Sequence, residues 1–205
     1  MRPSSLAVGF LLSSLSVFAS AVGCAPHAQY SDAFYAQAAR DDPRRRPYEI
    51  GIADVVRITV WKDPNLSTDA SVRPDGTVTM PLAGEFRAAG RTAAELQKDI
   101  STRLESYVKD AVVTVALIEV NSYRFTVAGN VEHPGMFTSR YYVTVSEALA
   151  LAGGPNRYAS TSDVVLVRST NGHRQRVAID YDKILSGDRP DEDVVVLAGD
   201  AIQVP

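Results

Sequence analysis

The chain has 205 residues, 45% hydrophobic and 22% charged, which gives room for one or two small globular domains. Its formal net charge of -3 argues against a nucleic-acid-binding protein, because such a protein needs a basic face. The single cysteine, Cys24, excludes any disulfide within the chain.

Residues 1–23 predict a signal peptide, with an arginine near the start, an apolar core over residues 6–18 and small residues before the cysteine. Serines interrupt the apolar stretch, so an uncleaved anchor, which needs about 20 predominantly apolar residues, is the less favoured alternative. The sequence A-V-G-C resembles the bacterial lipobox, which places cleavage between Gly23 and Cys24. A small buried side chain is the ordinary alternative for Cys24. Its place at the end of an export signal instead predicts lipidation, and several acyl chains hold a protein on a membrane.

Residues 24–47 predict a lipidated tether rich in alanine and glutamine. An alanine rather than an aspartate follows the cysteine, which in similar Gram-negative lipoproteins favours passage to the outer membrane. Tyr30, Phe34 and Tyr35 lie on one face of a short helix that is not stable alone. The arginines at 44–46 are either a solvated charge run or a contact for anionic head groups or an anionic glycan.

The first predicted strand follows Asp54, whose carboxylate is placed to cap the turn that leads in. Val56, Ile58 and Val60 alternate with more polar residues, which is the period of a half-buried strand.

A long connection then leads to a predicted turn, Arg73-Pro74-Asp75-Gly76. Proline in the second position and glycine in the fourth are typical of a type I turn. A second strand leaves this turn, with Val78, Met80 and Leu82 on one face.

A helix and a third strand complete the first predicted domain, residues 48–121. Thr92 and Glu95 have the spacing of a capping box. The apolar stripe that follows predicts a helix over residues 93–108, and it comprises Leu96, Ile100, Leu104, Tyr107 and Val108. Residues 112–120 are rich in β-branched side chains and predict a strand packed on that helix. The domain is therefore a small α+β unit, β-β-α-β in its main elements.

Residues 122–205 predict a second domain with one main helix and a mixed sheet of four or five strands. A second capping box, Thr144 and Glu147, starts the helix, and two consecutive glycines, 153 and 154, end it. Asn171-Gly172 predicts a two-residue hairpin. The predicted strands are 124–131, 136–142, 164–168, 174–179, 194–197 and 201–204, with a helical turn at 181–185.

A short sequence pattern occurs in both domains. Ala53-Asp54 and Gly199-Asp200 each place a small residue and an aspartate before an alternating strand. Common turn chemistry and an internal duplication explain this pattern equally well.

The spaced motifs of the chain resemble two known domains. Three motifs resemble the export domain of bacterial outer-membrane polysaccharide export proteins. They are Y-x-I-G-x-x-D-V-x-x-I-x-V-W-x-x-P-x-L-S, which starts at Tyr48, then V-R-P-D-G-x-V-x-x-P-L-x-G, and then A-A-G-R-T-x-x-E-L. The motifs V-A-G-N-V-x-x-P-G, A-L-A-L-A-G-G and A-G-D-A-I-Q-V-P resemble one SLBB domain, a β-grasp module. Ala53 departs from the family pattern, which usually has glycine before the aspartate.

The resemblance implies a periplasm-facing subunit of a capsule or exopolysaccharide exporter, anchored by lipid in the outer membrane. It further implies a ring of identical subunits that conducts polysaccharide, with an inner-membrane polysaccharide co-polymerase as partner. Because no further apolar stretch of about 20 residues follows Cys24, we expect a separate outer-membrane protein, a barrel, to receive the glycan. The end at Val204-Pro205 resembles the short form of the family, which lacks a C-terminal membrane helix. Arg73, Asp75 and Gly76 are implied to face the saccharide passage or a neighbouring subunit; the alternative is that they only shape the hairpin.

An enzyme is not expected. No HxxxH, HExxH, G-x-S-x-G, P-loop or G-x-G-x-x-G pattern is present, so we predict no catalytic residue, metal or cofactor. Asp54, Asp75 and Glu85 are close in sequence, but turn formation is a sufficient role for the two aspartates.

The alternative function is a monomeric saccharide-binding lipoprotein that forms no conduit. Tyr123, Tyr141, Tyr142 and Tyr158 are candidates to stack on sugars, or they are half-buried packing residues. The oligomeric state separates the two functions.

Overall fold

The computed structural model describes residues 30–170 and 172–205. The predicted signal peptide, the predicted lipidation site Cys24, and Asn171 lie outside the described residues. Within the described residues the helices are α1 (Asp32–Arg40), α2 (Ala93–Leu104), α3 (Val145–Leu151) and α4 (Tyr181–Ser186). The strands are β1 (Val55–Val60), β2 (Thr68–Ser71), β3 (Thr77–Met80), β4 (Gly84–Arg87), β5 (Val113–Glu119), β6 (Arg124–Gly129), β7 (Gly135–Thr138), β8 (Val164–Thr170), β9 (His173–Ile179) and β10 (Ala201–Val204). The predicted α+β class is confirmed, and two separate hydrophobic cores divide the elements.

The first core lies between α2 and an antiparallel sheet of strand order β2-β1-β5. Val56, Ile58 and Val60 of the central strand are buried, and Arg57 and Thr59 between them are exposed, as the alternation predicts. Strands β3 and β4 form a separate hairpin beside this sheet.

Helix α2 begins at the predicted capping box, in which Thr92 and Glu95 exchange hydrogen bonds. Its stripe residues up to Leu104 are fully buried. The predicted extension to Val108 is wrong. The backbone N–H groups of Tyr107 and Val108 both donate to the Leu104 carbonyl at 2.8 Å, which ends the helix in a tight turn and exposes the Tyr107 ring.

Two strands of the first domain, β2 and β4, are not predicted from the sequence. Each has four residues and a single buried side chain, Ala70 in β2 and Phe86 in β4. A strand with a single apolar residue shows no periodic pattern, so β2 and β4 are defined by their pairing with β1 and β3. The observed order is therefore β-β-β-β-α-β.

The second core lies against a mixed five-stranded sheet of order β7-β6-β10-β8-β9. Strands β6 and β10 are parallel and the other pairs antiparallel, which confirms the predicted mixed sheet. Helix α3 starts at its predicted capping box and ends before Gly153 and Gly154, whose φ angles are 83° and 85°. The strand predicted at 194–197 is wrong, since this segment makes only an isolated bridge from Val195 to Thr144.

Helix α1 packs against the second domain, although the sequence predicts a tether here. Tyr35 is 2% exposed and its hydroxyl donates to the carbonyl of Ala178. Arg189 binds Asp32 at 2.7 Å, and Phe34 packs on the second core. These contacts supply the packing that an isolated nine-residue helix lacks.

The repeated sequence pattern corresponds to a repeated turn. Ala53 and Gly199 both have left-handed backbones, with φ angles of 74° and 85°. The carboxylates of the following Asp54 and Asp200 are buried, and each accepts a hydrogen bond at 2.7 Å from the backbone N–H three residues earlier. Shared turn chemistry thus accounts for the pattern.

Candidate functional site

A cleft of about 470 Å³ opens where the two domains meet. Small-molecule sites have volumes of about 300–1,000 Å³. Segments 43–48, 117–123 and 140–142 line the cleft. None of the described residues that line it is acidic, whereas three are arginines and four are tyrosines: Arg44, Arg46, Arg140, Tyr48, Tyr123, Tyr141 and Tyr142.

A fully buried carboxylate fixes one wall of this cleft. Oδ1 of Asp54 accepts hydrogen bonds from the backbone N–H groups of Asn121 at 2.8 Å and Ser122 at 2.7 Å. Its Oδ2 accepts from the N–H of Gly51 at 2.7 Å, the Tyr48 hydroxyl at 2.8 Å and the Ser122 hydroxyl at 3.1 Å. With five donors the carboxylate is satisfied in place, and Tyr48 is held at the junction.

Tyr142 packs between two other tyrosines of the cleft. Its ring centroid lies 6.2 Å from that of Tyr48 and 5.0 Å from that of Tyr123, the latter edge to face. The Tyr123 hydroxyl donates to the Val196 carbonyl at 2.9 Å and accepts from the Val143 N–H at 3.1 Å. Burial raises the pKa of Tyr123 to about 12 and also raises the pKa of Tyr142, so both phenols are neutral at physiological pH.

The three arginines of the cleft differ in their partners. Arg44 binds Asp42 through Nε and Nη2, at 2.8 Å for the closest pair, and this hydrogen bonding holds the pKa of Asp42 below its usual range. Arg46 lies 3.5 Å from the exposed Asp41 carboxylate. Arg140 is exposed and forms no ion pair with any described residue. Arg46 and Arg140 therefore keep charge that a ligand can neutralise.

Of the tyrosines predicted to stack on sugars, Tyr141 and Tyr142 lie on the cleft, Tyr141 with an exposed ring and Tyr142 half-buried. Tyr123 is 2% exposed and contributes only to the floor. Tyr158 lies outside the cleft, under the Arg157 guanidinium at 4.6 Å from its ring centroid. Tyr48 is not predicted as a site residue, although its fixed spacing before Asp54 in the motif is a usable signal.

The predicted turn Arg73-Pro74-Asp75-Gly76 connects β2 and β3 away from the cleft lining. The Gly76 N–H donates to the Arg73 carbonyl at 2.8 Å, and the φ of Gly76 is 81°. Arg73 binds Asp75 at 2.5 Å and Glu85 at 2.6 Å, and Oδ1 of Asp75 accepts from the N–H and hydroxyl of Thr77. These contacts explain how the side chains shape the hairpin. Arg73 and Asp75 are exposed, whereas Gly76 is buried against Ala89 and presents no surface to a ligand.

The structure does not bring the three carboxylates considered for catalysis together. Asp75 and Glu85 share Arg73, whereas Asp54 is buried at the domain junction. Within residues 30–170 and 172–205, no group of three or more His, Cys, Asp or Glu side chains is placed to hold a metal ion. None of the helices in the same residues has the length and apolar character to cross a membrane.

Comparison with known proteins assigns both domains. Residues 42–118 match the family described as polysaccharide biosynthesis/export protein, and residues 124–178 match the SLBB domain. The EPS I polysaccharide export outer membrane protein EpsA of Ralstonia solanacearum is 32% identical over 64% of this chain and 41% of that protein. The exopolysaccharide production protein ExoF of Rhizobium meliloti (strain 1021) is 28% identical, over 67% of this chain and 32% of that protein. The polysialic acid transport protein KpsD of Escherichia coli is 26% identical, over 68% and 25% respectively. The chain thus spans less than half the length of these curated relatives.

Proposed function

We propose that the chain is a subunit of a capsule or exopolysaccharide exporter, because residues 42–118 match the polysaccharide biosynthesis/export family and residues 124–178 match the SLBB domain. The order of the two matched domains is the observation that carries the proposal. The named relatives act in polysaccharide export, production or transport. The family consists of transport proteins rather than enzymes, as predicted from the sequence.

The proposed location is the outer membrane, with a lipid anchor at Cys24 and the domains facing the periplasm. The Ralstonia relative is named an outer membrane protein, which supports the outer-membrane location. The lipobox-like A-V-G-C sequence supports the anchor. Cleavage before Cys24 leaves a mature chain with acyl groups at its first residue.

The proposed assembly is a ring of identical subunits around a passage for the glycan. An inner-membrane polysaccharide co-polymerase delivers the glycan, and a separate outer-membrane protein receives it. We place the export domain at 48–121 and the SLBB domain at 122–205, a division that the two separate cores support. The exposed side chains of Arg73 and Asp75, on the turn that the buried Gly76 completes, are proposed to face the passage or the neighbouring subunit.

Deletion of the gene in its host and complementation with the full chain test the export role. We expect surface polysaccharide to disappear on deletion and to return with the wild-type chain, while polymer accumulates inside the deleted cells. Normal surface polysaccharide in the deletion strain would contradict the proposal. Native mass spectrometry of the detergent-extracted protein tests the ring, since a monomer excludes it.

The alternative, a monomeric saccharide-binding lipoprotein without a conduit, is favoured by one observation. The cleft combines accessible tyrosine rings with arginines, which suits a sugar ligand in a single subunit. A monomer that binds glycan, in cells whose export is intact without it, is the outcome that selects this alternative.

A further inference from the structure

We propose that the interdomain cleft binds an acidic glycan. A sugar carboxylate lies at Arg46 and Arg140, and sugar ring faces pack on Tyr141 and Tyr142. This proposal rests on the export role above and specifies its substrate class as a carboxylated polysaccharide.

The charge of the cleft is opposite to that of the whole chain. The chain has a formal net charge of -3, yet three arginines and no acidic residue are among the described residues that line the cleft. A planar guanidinium matches a carboxylate with two parallel hydrogen bonds, which a neutral sugar cannot accept in the same way. The cleft therefore selects for charge on the glycan.

Among the described residues, none of the carboxylates near the cleft pairs with Arg140. Asp42 is committed to Arg44 by bidentate hydrogen bonds, and Asp54 is buried beneath five donors. Asp41 lies 3.5 Å from Arg46 in solvent, where an ion pair is weak and readily replaced. Glu49 does not line the cleft, although its charge contributes to the raised pKa of Tyr142. Arg140 remains available to a ligand.

The aromatic wall is already ordered for a flat ligand face. Tyr142 is held edge to face on Tyr123 at 5.0 Å, and Tyr48 is held by the Asp54 carboxylate at 2.8 Å. A sugar ring presents apolar C–H faces and a rim of hydroxyls, so a rigid phenol ring binds it with little loss of side-chain entropy. Tyr141 is 66% exposed and extends this wall to the solvent.

A glycan fits this site better than a membrane surface does. The arginines and tyrosines line a concave cleft between two domains, and a flat lipid surface does not reach into a concavity of this kind. Anionic lipid binding is therefore an outcome that would overturn the proposal.

Isothermal titration calorimetry on the full chain in detergent tests the proposal with two probes of equal length. One is a hexamer of galacturonic acid and the other is maltohexaose, which is neutral. We expect binding of the acidic hexamer that weakens with added salt, and binding of maltohexaose at least tenfold weaker. The pair Arg46→Gln and Arg140→Gln should weaken the acidic hexamer roughly 10- to 100-fold, as expected for loss of charge-assisted hydrogen bonds.

The matched control is Arg174→Gln with Arg176→Gln, which removes the same charge from exposed positions of β9 outside the cleft. This pair should bind the acidic hexamer as the wild type does. Equal losses in both pairs, equal affinity for the two probes, no binding of either probe, or capture by phosphatidylglycerol vesicles alone would each overturn the cleft as a glycan site. Unchanged thermal unfolding shows that both variants are folded.

Complementation separates this proposal from the export role. If the chain restores export but does not bind the acidic hexamer, the cleft is not a glycan site and the proposed export role stands. If the chain binds the hexamer through Arg46 and Arg140 but does not restore export, the export role is wrong and the cleft remains a glycan site.

Discussion

Replacement of Asp54 by asparagine changes the hydrogen bonding at the domain junction without changing side-chain volume. If the amide nitrogen takes the Oδ1 position, the backbone N–H groups of both Asn121 and Ser122 lose their acceptor. If it takes the Oδ2 position, only the N–H of Gly51 loses its acceptor, because the hydroxyls of Tyr48 and Ser122 are able to rotate and accept instead. The second orientation is the less costly one.

The expected loss of stability follows from that orientation. One unpaired buried N–H costs about 1–3 kcal/mol, and the remaining bonds lose the extra strength of a charged acceptor. We therefore expect Asp54→Asn to lower the free energy of unfolding by about 2–4 kcal/mol. Asp54→Ala leaves three backbone donors unpaired and should cost about 3–9 kcal/mol, a large part of the roughly 5–15 kcal/mol that stabilises a domain. Tyr48→Phe removes one donor and should cost about 1–2 kcal/mol.

Urea unfolding followed by circular dichroism gives these free energies directly. The expected order of stability is wild type, Tyr48→Phe, Asp54→Asn and Asp54→Ala. An Asp54→Asn variant within about 1 kcal/mol of wild type would show that the five hydrogen bonds do not hold the junction as described. An asparagine variant less stable than the alanine variant would refute the assignment of the less costly amide orientation.

Three further predictions concern the backbone, the hairpin turn and the anchor. Ala53→Gly should raise the free energy of unfolding by about 0.5–1 kcal/mol in the same assay, since glycine relieves a left-handed alanine at some cost in chain entropy. Arg73→Ala with Asp75→Ala should reduce surface polysaccharide in complemented cells with little change in stability, because exposed ion pairs stabilise weakly; normal export would limit these side chains to shaping the hairpin. Cys24→Ser should move the mature protein from the outer-membrane fraction to the soluble periplasm, and retention in the membrane would place the anchor elsewhere.

Two of these predictions have matched controls in the first domain. Ala94→Gly, at an exposed position of α2, should destabilise by about 1 kcal/mol because glycine is unfavourable within a helix. If Ala94→Gly raised the free energy of unfolding, the gain in Ala53→Gly would not be due to relief of the left-handed backbone at residue 53. Arg57→Ala with Asp69→Ala removes another exposed ion pair, 2.7 Å long, and should leave export unchanged.

Features encoded over a few neighbouring residues are predictable from this sequence. The alternation of Val56, Ile58 and Val60 gives β1, and the spacing of Thr92 to Glu95 gives the start of α2. In each case a local steric or hydrogen-bonding preference agrees with the final fold. The end of α2 is not predictable in this way, because Val108 still packs on the core after the helix has ended and so prolongs the apolar stripe.

The cleft was not predictable as a site because its members are distant in sequence. Tyr48 and Tyr142 meet only after both domains fold and the linker places them side by side. The half-burial of Tyr142 and the full burial of Tyr123 also depend on that packing, since both are tyrosines in apolar surroundings. Composition identifies aromatic candidates, and the tertiary contacts decide which of them present a ring to a ligand.

The two equivalent turns also determine how the subunit is able to move. Domains joined by a short linker usually rotate relative to each other unless contacts prevent it. Here Asp54 holds the N–H groups of Asn121 and Ser122 from one side, and the Gly199 N–H donates to the Arg124 carbonyl at 2.7 Å from the other. These hydrogen bonds restrain residues 121–124 and so oppose a hinge at the linker. In the proposed ring, a linker restrained in this way favours dilation of the passage by sliding between neighbouring subunits over bending within each subunit.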